Sequence, residues 1–175
     1  MLTDPQDMEQ WLRTEAVPLV NQIQPDTQPV WGVMNGRNVV EHLTGSMRMS
    51  NGRFDLPLRT PEERVDKYKA WLLRDDTTLT PNVPNNPVPE DPPAIRDDSI
   101  EISRKKHAAD LNSFFKRFKE NPDDLAMHPV FGLLNFREWV VFHYKHYQHH
   151  LAQFGQVPIP EHKFYDEVRP QSNQS

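Results

Sequence analysis

Residues 135–155 read NFREWVVFHYKHYQHHLAQFG and carry the clearest helical pattern in the chain. Asn135 is of a residue type that caps the start of helices, and Gly155 is of the type that ends them. The segment therefore predicts one long helix with a broad buried face. The residues that share this face at helical spacing are Phe136, Trp139, Val140, His143, His146, Tyr147, His150, Leu151 and Phe154.

Capping residues and apolar spacing predict three further long helices and one short one. The short accessory helix begins with the threonine cap Thr60 and Pro61, and it reaches Leu73. Strand patterns are essentially absent, so we expect an all-α fold, an antiparallel four-helix bundle. The three further long helices run from Asp4 and Pro5 to Ile23 with a kink at Pro18, onward from Asn35, and from Asp98 or Ser99 to Asn121.

The length of the chain suits one domain, so residues 1–175 are predicted to form a single helical domain. Residues 77–98 hold Pro81, Pro84, Pro87, Pro89, Pro92 and Pro93, a density that disfavours regular secondary structure. This segment is expected to be a proline-rich connection between the two halves of the bundle. Residues 165–175 are expected to form a flexible tail.

Composition argues against several classes of protein. The 20 basic residues are scattered among 25 acidic ones, and the net charge of −5 favours neither nucleic acid nor an anionic membrane as partner. The absence of cysteine excludes disulfides, thiolate ligands and a cysteine nucleophile. No signal-peptide pattern and no run of 18 apolar residues is present, so a cytoplasmic location is expected.

The histidines of the last helix predict a metal site. His146 and His150 are four residues apart, which places them on one face of a helix about 5–6 Å apart at Cβ. His42 lies on the core face of the helix that begins at Asn35, and it is the expected third ligand. A lone histidine there would more often be a core residue, but the clustered pair favours a site. Three nitrogen ligands leave coordination positions open, as in catalytic sites.

Three other side chains are candidates for a catalytic or supporting role. Tyr147 and Gln153 lie near the expected ion, and Gln153 either hydrogen-bonds near the site or satisfies a helix neighbour. His143 is an outer hydrogen-bond partner, a fourth ligand or a core residue.

The remaining histidines are interpreted as structural or solvated. His149 is expected at the surface, and His107 and His162 are expected to be solvated. His128 opens the sequence HPVFG, a predicted turn in which Phe131 is anchored in the core.

These motifs resemble the DinB-like (DinB/YfiT-like) superfamily of metalloenzymes. The resemblance rests on EHL at 41–43, KHYQHHLAQFG at 145–155 and the expected four-helix layout. HPVFG at 128–132, EW at 138–139 and HHLAQFG at 149–155 are similar to a less characterised branch of that superfamily. In that superfamily a histidine of the second helix joins an i, i+4 histidine pair late in the bundle, which match His42, His146 and His150. Some relatives are thiol-dependent transferases or isomerases that use zinc or nickel, and homodimers are frequent among them.

The resemblance implies a metal-dependent enzyme acting on a small molecule, by thiol transfer or by hydrolysis. Zinc or nickel is the favoured ion, although histidine ligands also accept iron, manganese or copper. Tyr147 and not a glutamate follows the first histidine of the pair, so the pattern is not that of a zinc peptidase. The alternative is a non-catalytic binding or dimerisation module with core or vestigial histidines.

Overall fold

The computed structural model describes residues 1–54, 56–81 and 91–169, and this part of the chain is mostly helical. It agrees with an all-α class apart from one small sheet. Its helices are α1 (Pro5–Thr14), α2 (Ala16–Gln22), α3 (Gly36–Ser50), α4 (Glu62–Leu72), α5 (Ile100–Glu120), α6 (Phe136–Gln153) and a C-terminal 3-10 helix (Lys163–Val168). Its strands are β1 (Ala126–His128) and β2 (Gly132–Leu134).

The predicted helix caps are confirmed at most helix ends. The side chains of Asp4, Asn35, Ser99 and Asn135 each accept a hydrogen bond from a backbone N–H in the first turn of their helix. Such bonds satisfy amide groups that have no partner within the helix. Gly155 follows α6 with φ +70°, the left-handed conformation that ends a helix.

Two predicted helix boundaries are wrong. The first helix is not continuous with a kink at Pro18, because it divides at Glu15 into α1 and α2. A proline ring clashes with the carbonyl four residues earlier, here that of Thr14, so the break precedes the proline. Thr60 does not cap the accessory helix: α4 begins at Glu62 with Pro61 in the capping position and no side-chain cap.

The predicted turn HPVFG joins two short strands, although strand patterns are essentially absent from the sequence. Strands β1 and β2 pair antiparallel, with His128 opposite Gly132. The Nδ1 atom of His128 accepts hydrogen bonds from the backbone N–H groups of Val130 and Phe131, at 3.1 and 3.3 Å. Phe131 is buried, as predicted. Strands of three residues are too short to show a periodic pattern in sequence.

The core lies between α6 and the helices packed around it. α1 packs against α6, and α3 packs against both α5 and α6. An ion pair between Arg48 of α3 and Asp110 of α5, 2.8 Å long, joins the last turn of α3 to the middle of α5. Among the described helices, none is long and apolar enough to cross a membrane. The largest fully buried apolar side chains include Trp139, Tyr147, Phe114, Leu12, Leu43 and Leu151.

Both described ends of the proline-rich connection are fastened beside the histidine-bearing helices. The hydroxyl of Tyr165, in the 3-10 helix, donates to the carbonyl of Leu79 at 2.5 Å. The carboxylate of Glu41 in α3 accepts from the backbone N–H groups of Arg96 and Asp97. Residues 77–81 and 91–98 form no helix or strand, and residues 82–90 lie outside the described part.

The C-terminal segment packs against the domain through at least Val168. Residues 165–168 of the expected flexible tail belong to the 3-10 helix, and the Tyr165 side chain is fully buried. Residues 170–175 lie outside the described part of the chain.

Candidate metal centre

His146 and His150 lie on the buried side of α6. The helix places residues four apart one turn from each other, so the two imidazoles meet. Their side chains are buried, and their Nε2 atoms are 3.0 Å apart. Phe142 stacks on the His146 ring with a centroid distance of 5.2 Å and an angle of 21°. This contact restricts the plane of the His146 ring, within which Nε2 faces His150.

His42 approaches the pair from α3. Its neighbours Val39 and Leu43 are fully buried, whereas His42 itself is exposed, so the expectation that it sits on the core face is wrong. At 100° per residue it lies on the border of the apolar face. Its Nε2 is 3.0 Å from the Nε2 of His146. The three histidines therefore meet where the buried core reaches the surface.

The spacing of the three donor atoms suits a single cation. One nitrogen from each of His42, His146 and His150 lies within 4.8 Å of the other two. Two nitrogens bound to one ion at about 2.0–2.1 Å and separated by 3.0 Å would subtend about 94° at that ion. Such an angle is usual for neighbouring ligands of a five- or six-coordinate ion. The donor set therefore fits a divalent transition-metal ion.

The surroundings of the three imidazoles favour the neutral form, which is the form that binds metals. Burial lowers the pKa of His146 and His150 well below the usual value, and neighbouring histidines lower both further. Desolvation by surrounding protein also lowers the pKa of His42, to about 4. Because His42 is exposed, water offsets part of its shift, whereas the buried pair has little such screening.

Proton positions around His146 leave a conflict that a cation would remove. The Nε2 of His146 is 3.0 Å from the Nε2 atoms of both His42 and His150. Its buried Nδ1 has no hydrogen-bond partner among the described residues. With all three rings protonated on Nδ1, three lone pairs converge at the Nε2 atoms. Because the Nε2 of His146 carries either one proton or one lone pair, every other arrangement makes at most one of its two contacts a hydrogen bond. A cation at this point would be attracted to all three lone pairs.

Gln153 supports His150 from the next turn of α6. Its Oε1 is 2.8 Å from the Nδ1 of His150, and its Nε2 donates to the carbonyl of Trp31 at 2.6 Å. The contact with His150 fits both roles considered for Gln153, because His150 is a neighbour on the same helix and also a member of the group of three. Such an outer hydrogen bond is typical of metal-binding histidines.

The other two catalytic candidates make contacts away from the three histidines. The Tyr147 hydroxyl lies 2.5 Å from the Nε2 of His107, and both side chains are fully buried. The Nε2 of His143 lies 2.9 Å from the hydroxyl of Ser50, the last residue of α3. The structure therefore does not bring Tyr147 or His143 into the group of three.

Two histidines predicted to be solvent-exposed are buried. His107 is fully buried against Tyr147, and His149 is buried with its Nδ1 2.9 Å from the hydroxyl of Tyr165. The position of His149 gave one indication of its burial, because this residue directly precedes His150 on a helix that is buried on most sides. For His107 the partner lies on another helix, and no local signal identifies it.

Chemically, the site combines three neutral nitrogen donors with one exposed side at His42. A structural zinc site is usually closed by four protein ligands, whereas three ligands leave room for a reacting molecule. The described part of the chain offers no fourth histidine, cysteine, aspartate or glutamate in this group. The arrangement is therefore that of an open site.

Comparison with known proteins gives a family but no activity. Searches of curated proteins and of solved structures found no significant match. A family model described as a protein of unknown function, DUF1569, matches residues 20–157, which include all three histidines and Gln153. This match covers well over half of the 175 residues of the chain, and the chain therefore belongs to the DUF1569 family.

Proposed function

We propose that this protein is a metal-dependent enzyme that acts on a small molecule. His42, His146 and His150 would hold one divalent ion, and the convergence of their Nε2 atoms is the observation that carries the proposal. The ion would supply Lewis acidity, which can activate either water or a low-molecular-weight thiol at neutral pH. The reaction is accordingly either hydrolysis or thiol transfer.

The protein's own groups would bind and orient the reactants. Neutral imidazoles leave most of the positive charge on the ion, and that charge favours an anionic thiol or oxygen group on the incoming molecule. Such a molecule would enter at the exposed side, beside His42. The described ends of the proline-rich connection are fastened near this side by Glu41 and Tyr165. We therefore propose that the described ends of the connection, residues 77–81 and 91–98, contribute to the substrate cavity.

The placement of the histidines supports a DinB-like four-helix bundle as the finer description of the fold. His42 lies on α3, and the i, i+4 pair lies on the last long helix, α6, as in that superfamily. The four bundle segments would be α1 with α2, α3, α5 and α6. On this resemblance, zinc and nickel are the preferred candidates for the ion.

Metal content tests the proposal directly. Protein purified without a histidine tag, incubated with zinc, nickel, iron, manganese or copper salts and desalted, should retain about one ion per chain. The variants His42→Ala and His150→Ala should lose it. His162→Ala is the matched control, because it also removes an imidazole but His162, which caps the 3-10 helix, lies outside the group of three. A wild-type protein that retains none of these metals would overturn the proposal and favour a non-catalytic binding module.

A second measurement separates the two reaction types. With cobalt in the site, binding of a thiol should change the visible absorption spectrum. A spectrum that stays unchanged across several thiols would eliminate thiol transfer and leave hydrolysis.

A further inference from the structure

We infer that Gln153 is a positioning residue that fixes the proton of His150 on Nδ1 and so keeps Nε2 available to a metal. The inference rests on the proposed metal site and adds to it a supporting loop, residues 30–32, between α2 and α3. This loop holds the Gln153 side chain in the one orientation that serves His150.

The orientation of the Gln153 amide follows from its partner at Trp31. A backbone carbonyl can only accept hydrogen bonds, so the group 2.6 Å from the Trp31 oxygen must be the amide NH2 of Gln153. The amide oxygen then faces His150 Nδ1 at 2.8 Å. An amide oxygen can only accept, so Nδ1 of His150 must carry the proton. In a neutral imidazole this leaves the lone pair on Nε2.

The loop at residues 30–32 is fitted closely around Gln153. The backbone N–H of Val30 donates to the backbone carbonyl of Gln153 at 2.8 Å. Gly32 has φ +80°, and a Cβ atom there would lie 2.9 Å from the Nε2 of Gln153. Any side chain at position 32 would therefore strain the backbone and displace the amide. Gln153 is also only 4% exposed, so water cannot readily replace its contacts.

Loss of this support should weaken metal binding without removing a ligand. With the proton free to move to Nε2, part of the His150 population would present N–H instead of a lone pair to the ion. Outer-shell partners of metal-binding histidines are typically worth 10–100-fold in affinity.

The test uses two variants of Gln153 and a pair of glycine variants. Gln153→Met keeps the length of the side chain and removes both polar groups. Gln153→Glu keeps an oxygen that can accept from His150. Gly32→Ala disturbs the loop, and Gly45→Ala is its control, because a Cβ at Gly45 in α3 meets nothing within 4 Å.

Two readouts are measured: zinc affinity by competition with a chelator, and the His150 tautomer in metal-free protein from imidazole ¹⁵N chemical shifts. Gln153→Met should lower zinc affinity by about 10–100-fold and shift the tautomer away from Nδ1–H. Gln153→Glu should bind more tightly than Gln153→Met, and Gly32→Ala should bind more weakly than Gly45→Ala.

The tautomer keeps this inference separable from the proposed function. If wild-type protein binds no metal but its His150 is the Nδ1–H form and loses that preference in Gln153→Met, the proposed function fails and the positioning role stands. If the wild-type and Gln153→Met proteins have the same tautomer and the same zinc affinity, the positioning role is overturned and the metal site stands.

Discussion

At the scale of single residues, Tyr147 and His107 form a hydrogen bond that is completely enclosed by the core. Tyr147→Phe would leave the His107 Nε2 without its partner, and an unpaired buried polar atom costs about 1–3 kcal/mol. We expect the free energy of unfolding, measured with urea, to fall by that amount. Metal content should not change, because the contacts of Tyr147 lie away from the three histidines.

Tyr68→Phe is the matched control for this prediction. Tyr68 is 39% exposed, so removing its hydroxyl should leave the stability within about 0.5 kcal/mol of wild type. If Tyr147→Phe keeps full stability but loses metal or activity, Tyr147 belongs to the site and the structural role is wrong.

The sequence could predict the three histidines but not the partners of the others. His146 and His150 share a helix at a spacing of four, and His42 follows a recognisable cap, so local pattern is enough to nominate them. The predicted exposure of His107 and His149 was wrong, because each is buried and contacts a tyrosine hydroxyl from another part of the chain. Such pairings depend on tertiary packing, which no local spacing reports.

At the scale of elements, Lys145 fastens the end of α4 to α6. Lys145 is 2% exposed, and its ammonium group donates to the carbonyls of Leu72 and Arg74 and to the hydroxyl of Thr77, at 2.6–2.8 Å. Burial lowers the pKa of Lys145 to about 8, although Asp75 and Asp76 favour the charged form. The three acceptors satisfy all the donors of the ammonium group.

We expect Lys145→Met to loosen this joint without unfolding the protein. The carbonyls at the end of α4 would lose their donor. Amide hydrogen exchange at Leu73 and Arg74, whose N–H groups donate to the carbonyls of Lys69 and Trp71, should rise by about tenfold, equivalent to one hydrogen bond. Lys67→Met, at an exposed site on α4, should leave the exchange of these residues unchanged. Equal exchange in both variants would show that Lys145 does not hold the joint.

Element boundaries were predictable where a side chain caps the helix and less so where backbone sterics decide. Asn35 and Asn135 each form a reciprocal capping box, and asparagine is a residue type that predicts a helix start. The division at Glu15 depends instead on how the chain relieves the clash caused by Pro18. The turn HPVFG was predictable from its residue types, whereas each of the two strands that it joins has only three residues and shows no periodic pattern.

At the scale of the whole molecule, buried neutral histidines should make the fold sensitive to acid. Burial lowers the pKa of His107 to about 4 and of His128 to about 3, and that of His143 well below the usual value. The unfolded chain takes up these protons near pH 6.5, whereas the folded chain resists them. Below pH 6.5 the unfolded state therefore binds more protons than the folded state. The free energy of unfolding decreases as the pH is lowered, until the pH reaches the folded-state pKa values.

The expected loss is about 1.4 kcal/mol per histidine for each pH unit between the unfolded and folded pKa values. The variant His128→Asn tests the part of this loss that comes from His128. An asparagine oxygen can still accept from the N–H groups of Val130 and Phe131, as in an Asx turn, but it does not titrate. Unfolding in urea between pH 7.5 and 5, with a chelator present, should show a shallower pH dependence for the variant. Parallel curves for wild type and variant would mean that His128 is protonated equally in both states, contrary to its burial.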